Sequence, residues 1–279
     1  MICFPNCKIN LGLKVKGKRP DGYHNIETVF YPVNLTDVLE IIPAQDGIFD
    51  FNITGIEIPG DITENLCVKA YNLLAKEYKI PSVKIHLHKN IPIGAGLGGG
   101  SSDTAFTLIL LDKIFSLNLP KNKLIEMSSQ LGSDCAFFIE NKPCFAYEKG
   151  NIMETINLDL KNYKFIIIKP NINISTTEAY KNIFFDDNTE SLKIQINKPV
   201  ETWRDNIFND FEKYIFKSYP EIKKIKEFFY QKGAIYASMS GSGSAVYGIF
   251  EDDVNIENPF QEYFFKEIKD FKKIYQKIY

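Results

Sequence analysis

Five glycines and two serines lie together in the stretch IPIGAGLGGGSSD, residues 91–103. Glycine inside a helix or strand costs about 0.5–1 kcal/mol relative to alanine, so this cluster needs a compensating use. The preceding VKIHLHKN alternates apolar and polar residues like a half-buried strand, and the following TAFTLILLDKIF has apolar residues at helical spacing. The sequence predicts a strand, a glycine loop and a helix with Ser101 or Ser102 as N-cap. Because glycines let an anion approach a helix N-terminus closely, the stretch is expected to bind phosphate.

Three known phosphate loops fit this stretch poorly. The dinucleotide pattern is matched by Gly94-x-Gly96-x-x-Gly99, but that pattern needs a fully buried strand before it and another strand after its helix. A Walker A loop needs a lysine directly after its glycines, and the chain has none between Lys89 and Lys113. A protein-kinase loop needs valine where Ser101 stands. The sequence therefore indicates a phosphate loop of another type.

Phosphoryl transfer also needs cations, a metal and a group that accepts the acceptor's proton. Lys8 lies in the predicted strand PNCKINLGLKV, where a solvated lysine is the alternative. Asp134 lies in LGSDCAFFI, where it either caps a helix or has a functional partner. An aspartate beside a lysine stays ionised and can accept a hydroxyl proton, so these two residues are candidates for the chemistry.

Two aromatic residues follow a tight turn at Pro20-Asp21-Gly22. Tyr23 and His24 could stack on a flat heterocycle and hydrogen-bond to it, while an ordinary hairpin tip is the alternative. His86 and His88 share one face of a predicted strand and could form a metal pair. Because no third ligand is apparent, a solvent-facing polar stripe is favoured there.

A second small-residue loop, Met239-Ser-Gly-Ser-Gly-Ser244, joins two strand-like segments. A plain hairpin rarely needs both Gly241 and Gly243. The pattern indicates close approach of this backbone to a ligand or to the first glycine loop.

The composition of the whole chain excludes several classes of protein. With 279 residues and a net charge of −2, it lacks the broad basic surface that nucleic acid requires. It has five cysteines, an odd number without a C-x-x-C pair, which predicts free thiols in a reducing cytosol. No stretch approaches the roughly 20 apolar residues of a membrane span. We therefore expect a cytoplasmic protein with no membrane or nucleic-acid partner.

The predicted elements are mixed without steady alternation, which favours an α+β architecture in two lobes. The polar NLDLKN, residues 157–162, is the predicted junction, giving domains 1–157 and 158–279. Strands are predicted near 7–15, 25–33, 38–43, 49–54, 83–88 and 164–170, and helices near 64–78, 102–116, 121–131, 176–184, 201–218 and 220–231. An amphipathic tail follows residue 258.

Taken in order, PNCKINLGL, RPDGYHNIETVF, IPIGAGLGGGSSD, LGSDCAFFI and SMSGSGSAVYGIF resemble the motifs of the GHMP small-molecule kinases. The resemblance covers both lobes. It implies a GHMP kinase two-lobe architecture, with an N-terminal lobe like ribosomal protein S5 domain 2, a ferredoxin-like C-terminal lobe and ATP between them. It also implies ATP-dependent phosphorylation of a hydroxyl group, with Mg²⁺.

The resemblance carries specific roles for residues of this chain. Asp134 is expected to be the base with Lys8 as its charge partner, and Asn10 is expected to hold Lys8 or the substrate. The substrate is expected to be cytidine diphosphate-linked methylerythritol of the non-mevalonate isoprenoid pathway, phosphorylated on its 2-hydroxyl. The cytosine would bind Tyr23 and His24, and the other side of the cytidine pocket would be closed by Thr176 and Tyr180.

ATP is expected along the glycine loop, with Ser101 or Ser102 near the magnesium and Asn65 and Lys89 near the adenine. The loop residues concerned are Pro92, Ile93, Gly94, Ala95, Gly96, Leu97, Gly98, Gly99, Gly100, Ser101 and Ser102, with Ser240, Gly241, Ser242 and Gly243 as a supporting loop. Two alternatives stay open: another GHMP kinase acting on mevalonate, homoserine or a sugar, and a catalytically silent sensor of ATP and a metabolite. The sequence leaves the choice between monomer and homodimer open.

Overall fold

The computed structural model describes residues 1–183, 190–251 and 254–268. These residues form three four-stranded sheets and a set of helices. The strands are β1 Ile2–Cys3, β2 Asn6–Lys18, β3 His24–Thr36, β4 Val38–Pro43, β5 Asp50–Gly55, β6 Val83–Lys89, β7 Cys144–Glu148, β8 Ile152–Thr155, β9 Tyr163–Lys169, β10 Tyr236–Met239, β11 Val246–Glu251 and β12 Phe264–Ile268. The α-helices are α1 Leu66–Tyr78, α2 Gly99–Ile114, α3 Lys121–Leu131, α4 Cys135–Glu140, α5 Thr176–Lys181, α6 Leu192–Gln195, α7 Trp203–Asn206, α8 Glu212–Ser218 and α9 Pro220–Gln231.

The three sheets have the strand orders β1-β4-β6-β5, β2-β3-β7-β8 and β10-β11-β9-β12. Within them β5 and β6 pair in parallel, and the other pairs are antiparallel. The first two sheets belong to the N-terminal part of the chain and the third to the C-terminal part. This division agrees with the predicted two-lobe α+β architecture.

Three apolar clusters hold the layers together. The first lies between the β1-β4-β6-β5 sheet and helices α1 and α2. The second joins the other two sheets, and the third lies between β9, β10 and β11 and helices α8 and α9. In β9, Phe165 and Ile167 belong to the second cluster while Ile166 and Ile168 belong to the third. Because successive side chains of a strand point to opposite faces, this continuous apolar run is buried on both sides.

The helix after the glycine loop begins earlier than the sequence predicted. Gly98, with φ 71°, is its N-cap, so the expected cap at Ser101 or Ser102 is wrong. Gly99 and Gly100 are helical, although glycine disfavours a helix by about 1 kcal/mol. The rest of α2 is buried around most of its circumference, and this tertiary packing outweighs the local preference. Ser101 and Ser102 consequently lie in the first turn.

The helix predicted over 201–218 is also wrong, because the chain breaks it into α7 and α8. Between them, residues 207–211 run beside β2: Leu13 N donates to Phe208 O at 3.0 Å and Asp210 N donates to Leu13 O at 2.8 Å. Asp210 Oδ2 also accepts from Val15 N at 2.8 Å. These contacts with the N-terminal part of the chain replace the helical hydrogen bonds.

The other predicted elements agree more closely. Helices α3 and α9 have the predicted bounds, 121–131 and 220–231. Helix α5 ends at Lys181, and position 184 of its predicted range lies outside the described residues. The tail after 258 contains β12, which pairs with β9, while residues 269–279 lie outside the described part. Among the described residues, no helix is both long and apolar enough to cross a membrane.

Candidate active site

The glycine loop, residues 92–98, joins β6 to α2 and has left-handed backbone conformations at three of its glycines. Gly94, Gly96 and Gly98 have φ angles of 60°, 73° and 71°, which favour glycine. A Cβ atom on Gly96 would lie 2.0 Å from the carbonyl oxygen of Ser240, so this position has no room for a side chain. The loop ends on the N-terminus of a 16-residue helix, an arrangement suited to phosphate groups.

Lys8 lies on β2 with its ammonium group at the glycine loop. Its Nζ donates to Gly96 O at 3.0 Å and to Asn10 Oδ1 at 2.6 Å, and it lies 5.0 Å from the centre of the Phe30 ring. The Lys8 backbone amide donates to Leu97 O at 2.9 Å. With only 3% of the residue exposed, Lys8 is not the solvated lysine that the pattern alone allowed.

Asp134 faces Lys8 and remains partly open. Its Oδ2 lies 3.5 Å from Lys8 Nζ, and its side chain is 32% exposed against 4% for Lys8. It occupies the N-cap position of α4 but makes no capping hydrogen bond, while Ser133 Oγ donates to its Oδ1 at 3.4 Å. The carboxylate therefore lies beside a cation and can still be reached, which a group that accepts a proton from a bound alcohol requires.

Asn10 uses both ends of its amide to hold this arrangement. Its Oδ1 accepts from Lys8, its Nδ2 donates to Thr28 Oγ1 at 2.9 Å, and Thr28 donates to Gly12 O at 2.6 Å. Of its two expected partners, the structure brings Asn10 together with Lys8. Sequence reasoning missed Thr28, because a threonine on a strand is too common to indicate a role.

The second small-residue loop, residues 240–243, packs against the glycine loop. Ser240 Oγ donates to Gly96 O at 2.8 Å, and Ala245 N donates to Ala95 O at 3.2 Å. Gly241 also lies close, since a Cβ there would be 3.5 Å from Gly96 Cα. The sequence indicated that this backbone lies close either to a ligand or to the first glycine loop. The structure has the contact with the first glycine loop.

Asn209 holds the second loop and was missed from the sequence. Its Nδ2 donates to Met239 O and Gly241 O, both at 2.8 Å, and its Oδ1 accepts from Phe211 N at 3.1 Å. The available signal was the Asn-Asp pair at 209–210 within the predicted helix, because both residue types have low helix propensity.

A cavity of about 1360 Å³ opens beside Lys8 and Asp134. The rings of His24 and Tyr180 stack in its wall, with centroids 4.8 Å apart and planes at 20°. Tyr23 is 62% exposed, and Thr176 Oγ1 lies 3.4 Å from Ser242 Oγ. The cavity thus brings together all five residues predicted to bind substrate: Asn10, Tyr23, His24, Thr176 and Tyr180.

The pKa values of the two stacked residues, His24 and Tyr180, are shifted toward the neutral forms. Burial lowers the pKa of His24 below its ordinary value, and the charge of Lys18 acts in the same direction. Burial raises the pKa of Tyr180 to about 12, and Asp134 adds to this. A neutral imidazole offers one donor and one acceptor, which suits the edge of a nucleobase.

A second cavity, of about 600 Å³, shares Gly94, Gly96, Gly98 and Ser101 with the first. Every residue predicted to contact ATP lines it except Ser102: Asn65, Lys89, Pro92, Ile93, Gly94, Ala95, Gly96, Leu97, Gly98, Gly99, Gly100 and Ser101. The two cavities meet along the glycine loop. A phosphate chain lying on the loop can therefore reach from the second cavity to Lys8 and Asp134.

Of the two serines expected near a metal, Ser101 lines both cavities and Ser102 neither. The hydroxyl of Ser102 is buried without a hydrogen-bond partner. Within residues 1–183, 190–251 and 254–268, no three His, Cys, Asp or Glu side chains are grouped to hold a metal ion. Mg²⁺ usually keeps waters and binds substrate phosphates with few protein ligands, so it does not need a dedicated metal cage. The Ser101 hydroxyl, which both cavities reach, suits that kind of site.

Lys89 lines the second cavity but has two acidic partners of its own. Its ammonium donates to Asp37 Oδ2, and to Asp103 Oδ2 at 2.8 Å. Burial raises the pKa of Asp103 to about 8 and Asp37 acts in the same direction, against the opposing charge of Lys89. Burial alone would lower the pKa of Lys89, but the attraction of Asp103 and Asp37 outweighs it and raises that pKa. The adenine contact expected for Lys89 stays a prediction.

The remaining candidate residues have local roles. His86 and His88 are exposed, and one ring nitrogen of each lies 2.9 Å from Thr54 Oγ1, as in the polar stripe favoured above. All five cysteines are free and buried. Burial raises the pKa of the thiols beside the site, to about 12 for Cys7 and about 11 for Cys135, which makes them poor nucleophiles.

Comparison with known proteins agrees with this geometry. Residues 65–142 match the GHMP kinases N terminal domain and residues 195–265 match GHMP kinases C terminal. The chain is 52% identical to a 4-diphosphocytidyl-2-C-methyl-D-erythritol kinase of Bacteroides fragilis, over 92% of this chain and 94% of that protein. It is 54% identical to the protein of the same name from Azobacteroides pseudotrichonymphae, over 90% and 94% of the two chains.

Solved structures of kinases are also similar to this chain. A crystal structure of 4-(cytidine 5'-diphospho)-2C-methyl-D-erythritol kinase superposes with a TM-score of 0.78 at 29% identity, covering 89% of this chain and 90% of that one. The Methanococcus jannaschii mevalonate kinase has a TM-score of 0.69 at 17% identity, over 91% and 92% of the chains, and supports the fold alone. The predicted two-lobe α+β fold is confirmed, and the chain belongs to the GHMP kinase family.

Proposed function

We propose that this kinase transfers the γ-phosphoryl group of ATP to the 2-hydroxyl of 4-diphosphocytidyl-2-C-methyl-D-erythritol, a step toward isoprenoid precursors by the non-mevalonate pathway. One observation carries the proposal. The Lys8–Asp134 pair lies between the glycine loop and a cavity walled by stacked His24 and Tyr180 rings. Eight relatives with that substrate in their names, 42–54% identical to this chain, support the choice of substrate.

In the proposed reaction, the hydroxyl oxygen of the acceptor attacks the γ-phosphorus of ATP. The bond from that phosphorus to the β–γ bridging oxygen breaks, ADP leaves, and the hydroxyl proton passes to the carboxylate of Asp134. Lys8, fixed by Asn10 Oδ1 and Gly96 O, stabilises the charge on the migrating group together with the loop amides. Magnesium bound by the ATP phosphates and the Ser101 hydroxyl would neutralise phosphate charge.

The large cavity suits a nucleotide-linked acceptor. The cytosine is proposed to lie against Tyr23, His24 and Tyr180, because stacking of a base on aromatic rings contributes about 1–3 kcal/mol. Lys18, Lys149 and Lys181 also line this cavity. Their positive charges can balance a diphosphate between the base and the alcohol, a group that mevalonate and homoserine lack.

The lobes are proposed to divide at residue 157, into 1–157 and 158–279. The two family matches lie on either side of that position. Each lobe contributes to the site, Lys8, Asp134 and the glycine loop from the first and Thr176, Tyr180 and the second loop from the second. ATP as donor and five free cysteines fit a cytoplasmic location.

The experiment that tests this function is ADP formation with a panel of acceptors. We expect ADP only with 4-diphosphocytidyl-2-C-methyl-D-erythritol, and ³¹P NMR should show a new phosphate monoester on its 2-position. Turnover of mevalonate, homoserine or a sugar in its place would assign the enzyme to another GHMP kinase activity. ATP binding with no ADP release from any acceptor would favour the silent sensor.

A further inference from the structure

A buried cluster of Asp37, Lys89 and Asp103 lies under the glycine loop, outside the Lys8–Asp134 pair. The side chains are 0%, 2% and 2% exposed. They come from three elements: the junction between β3 and β4, the end of β6, and the second turn of α2. No part of the proposed phosphoryl transfer uses them, and their role therefore needs a separate explanation.

The cluster forms hydrogen bonds at both ends of the glycine loop. At the end that follows β6, Asp37 Oδ1 accepts from the backbone amides of Asn90 at 2.6 Å and Ile91 at 2.8 Å. At the end that begins α2, Asp103 Oδ2 accepts from Lys89 Nζ at 2.8 Å. Lys89 also donates to Asp37, so one ammonium joins the two ends.

The ammonium also lies directly against the loop backbone. A Cβ atom on Gly99 would be 3.1 Å from Lys89 Nζ and 2.9 Å from Ile91 Cγ2. The first residue of α2 therefore rests on the cluster, and any shift of Lys89 would move the amides that begin this helix. Hydrogen bonds to charged groups are stronger than those between neutral groups, and burial excludes competing water.

We infer that Asp37, Lys89 and Asp103 form a brace that positions the glycine loop for the phosphates of ATP, and that Lys89 acts through this brace and not by touching the nucleotide. The inference rests on the proposed use of the loop for ATP. These three are positioning residues: they fix the loop amides before ATP arrives, so the ordering is complete when the nucleotide binds. Their loss should weaken ATP binding and leave the transfer step from bound ATP largely intact.

The test compares substitutions at Asp103 with a control in the same helix. Asp103→Leu removes the acceptor for Lys89 and keeps the number and branching of the side-chain heavy atoms, while Asp103→Asn keeps an oxygen that accepts the same hydrogen bond. Thr107→Val is the control, because Thr107 is fully buried one turn further along α2 and its hydroxyl donates to the backbone oxygen of Asp103, not to the Asp103 carboxylate. If Asp103→Leu fails to fold, Asp103→Ala removes the same group without adding atoms.

The measurements are the Kd for Mg-ATP by calorimetry and hydrogen exchange of the loop amides in the free protein. We expect Asp103→Leu to raise the Kd about tenfold or more and to speed exchange over residues 93–100, with Asp103→Asn close to the wild type. Equal Kd values and equal loop exchange in Asp103→Leu and Thr107→Val would overturn the brace. Because neither readout needs an acceptor, a wrong acceptor leaves this test intact, whereas a wild type that does not bind ATP would refute the proposed function.

Discussion

Two lysine–aspartate clusters flank the same glycine loop and differ in how far they are open. In the open cluster, Lys8 Nζ and Asp134 Oδ2 are 3.5 Å apart and the Asp134 side chain is 32% exposed. In the closed cluster, Lys89 donates to Asp37 and Asp103 with all three side chains at most 2% exposed. The residue types are the same, so composition does not distinguish the two clusters.

The carboxylates of the two clusters differ in whether a substrate hydroxyl can reach their oxygens. Asp37 accepts three hydrogen bonds from the protein, and Asp103 is shut away from solvent, so neither can receive a substrate proton. Asp134 Oδ1 accepts a long hydrogen bond of 3.4 Å from Ser133 Oγ, and its Oδ2 lies 3.5 Å from Lys8 Nζ. Both oxygens remain accessible from the large cavity. An ion pair whose carboxylate a substrate can reach can serve chemistry, while one that is enclosed can serve positioning.

The largest effect expected from breaking this contrast is at the open cluster. Asp134→Asn keeps the shape of the side chain but removes the base, so kcat should fall about 10²–10⁴-fold while the Kd for ATP stays near the wild-type value. Steady-state kinetics with calorimetry checks this. Asp159→Asn is the matched control, since Asp159 is an exposed aspartate paired with Lys161. A kcat of Asp134→Asn equal to that of the control would remove Asp134 from the mechanism.

A smaller effect is expected at the wall of the large cavity. Tyr180→Ala removes the ring that stacks on His24, and should weaken acceptor binding by about 1–3 kcal/mol with ATP binding unchanged. Tyr180→Phe keeps the ring and serves as its control. The comparison is the KM for each substrate in both variants. Equal losses for ATP and acceptor would mean that Tyr180 supports the lobe and not the acceptor.

The smallest effects concern two glycines between the clusters, Gly96 in the glycine loop and Gly100 in the first turn of α2. The two effects are expected to have opposite signs. Gly96→Ala places a methyl group against Ser240 O at a positive φ and should lower the free energy of unfolding by more than about 1 kcal/mol. Gly100 is helical and has no heavy atom within 4 Å of an added Cβ, so Gly100→Ala should raise it by about 0.8–1 kcal/mol. Denaturant unfolding measures both. Destabilisation by Gly100→Ala as large as that by Gly96→Ala would mean that contact with the second loop does not restrict the glycine loop.

The sequence predicted the parts of this molecule that depend on local pattern. The strand, glycine loop and helix around residue 96 and the helices α3 and α9 follow from periodicity and turn chemistry. The prediction that Ser101 or Ser102 caps α2 was wrong, because burial of the helix outweighs the low helix propensity of Gly99 and Gly100. The break at 207–211 was missed because its cause is pairing with Leu13, nearly 200 residues away in the chain.

The candidate site shows the same limit. The motifs that carry the family resemblance contain Lys8 and Asp134, which the fold brings within 3.5 Å. Asp37 and Asn209 belong to no such motif, and Thr28 lies in RPDGYHNIETVF without any role indicated for it. Each of the three gains its partners only when separate segments pack together. Residues that position others are therefore harder to find from one sequence than residues that resemble a motif.

The most direct test of the contrast between the two clusters measures two quantities on Asp134→Asn and Asp103→Leu. These are the Kd for Mg-ATP and the single-turnover rate of phosphoryl transfer with both substrates saturating. Asp134→Asn should lose the rate and keep the Kd, and Asp103→Leu should lose the affinity and keep most of the rate. Loss of the same quantity in both variants would contradict the separate roles assigned to the open and the closed cluster.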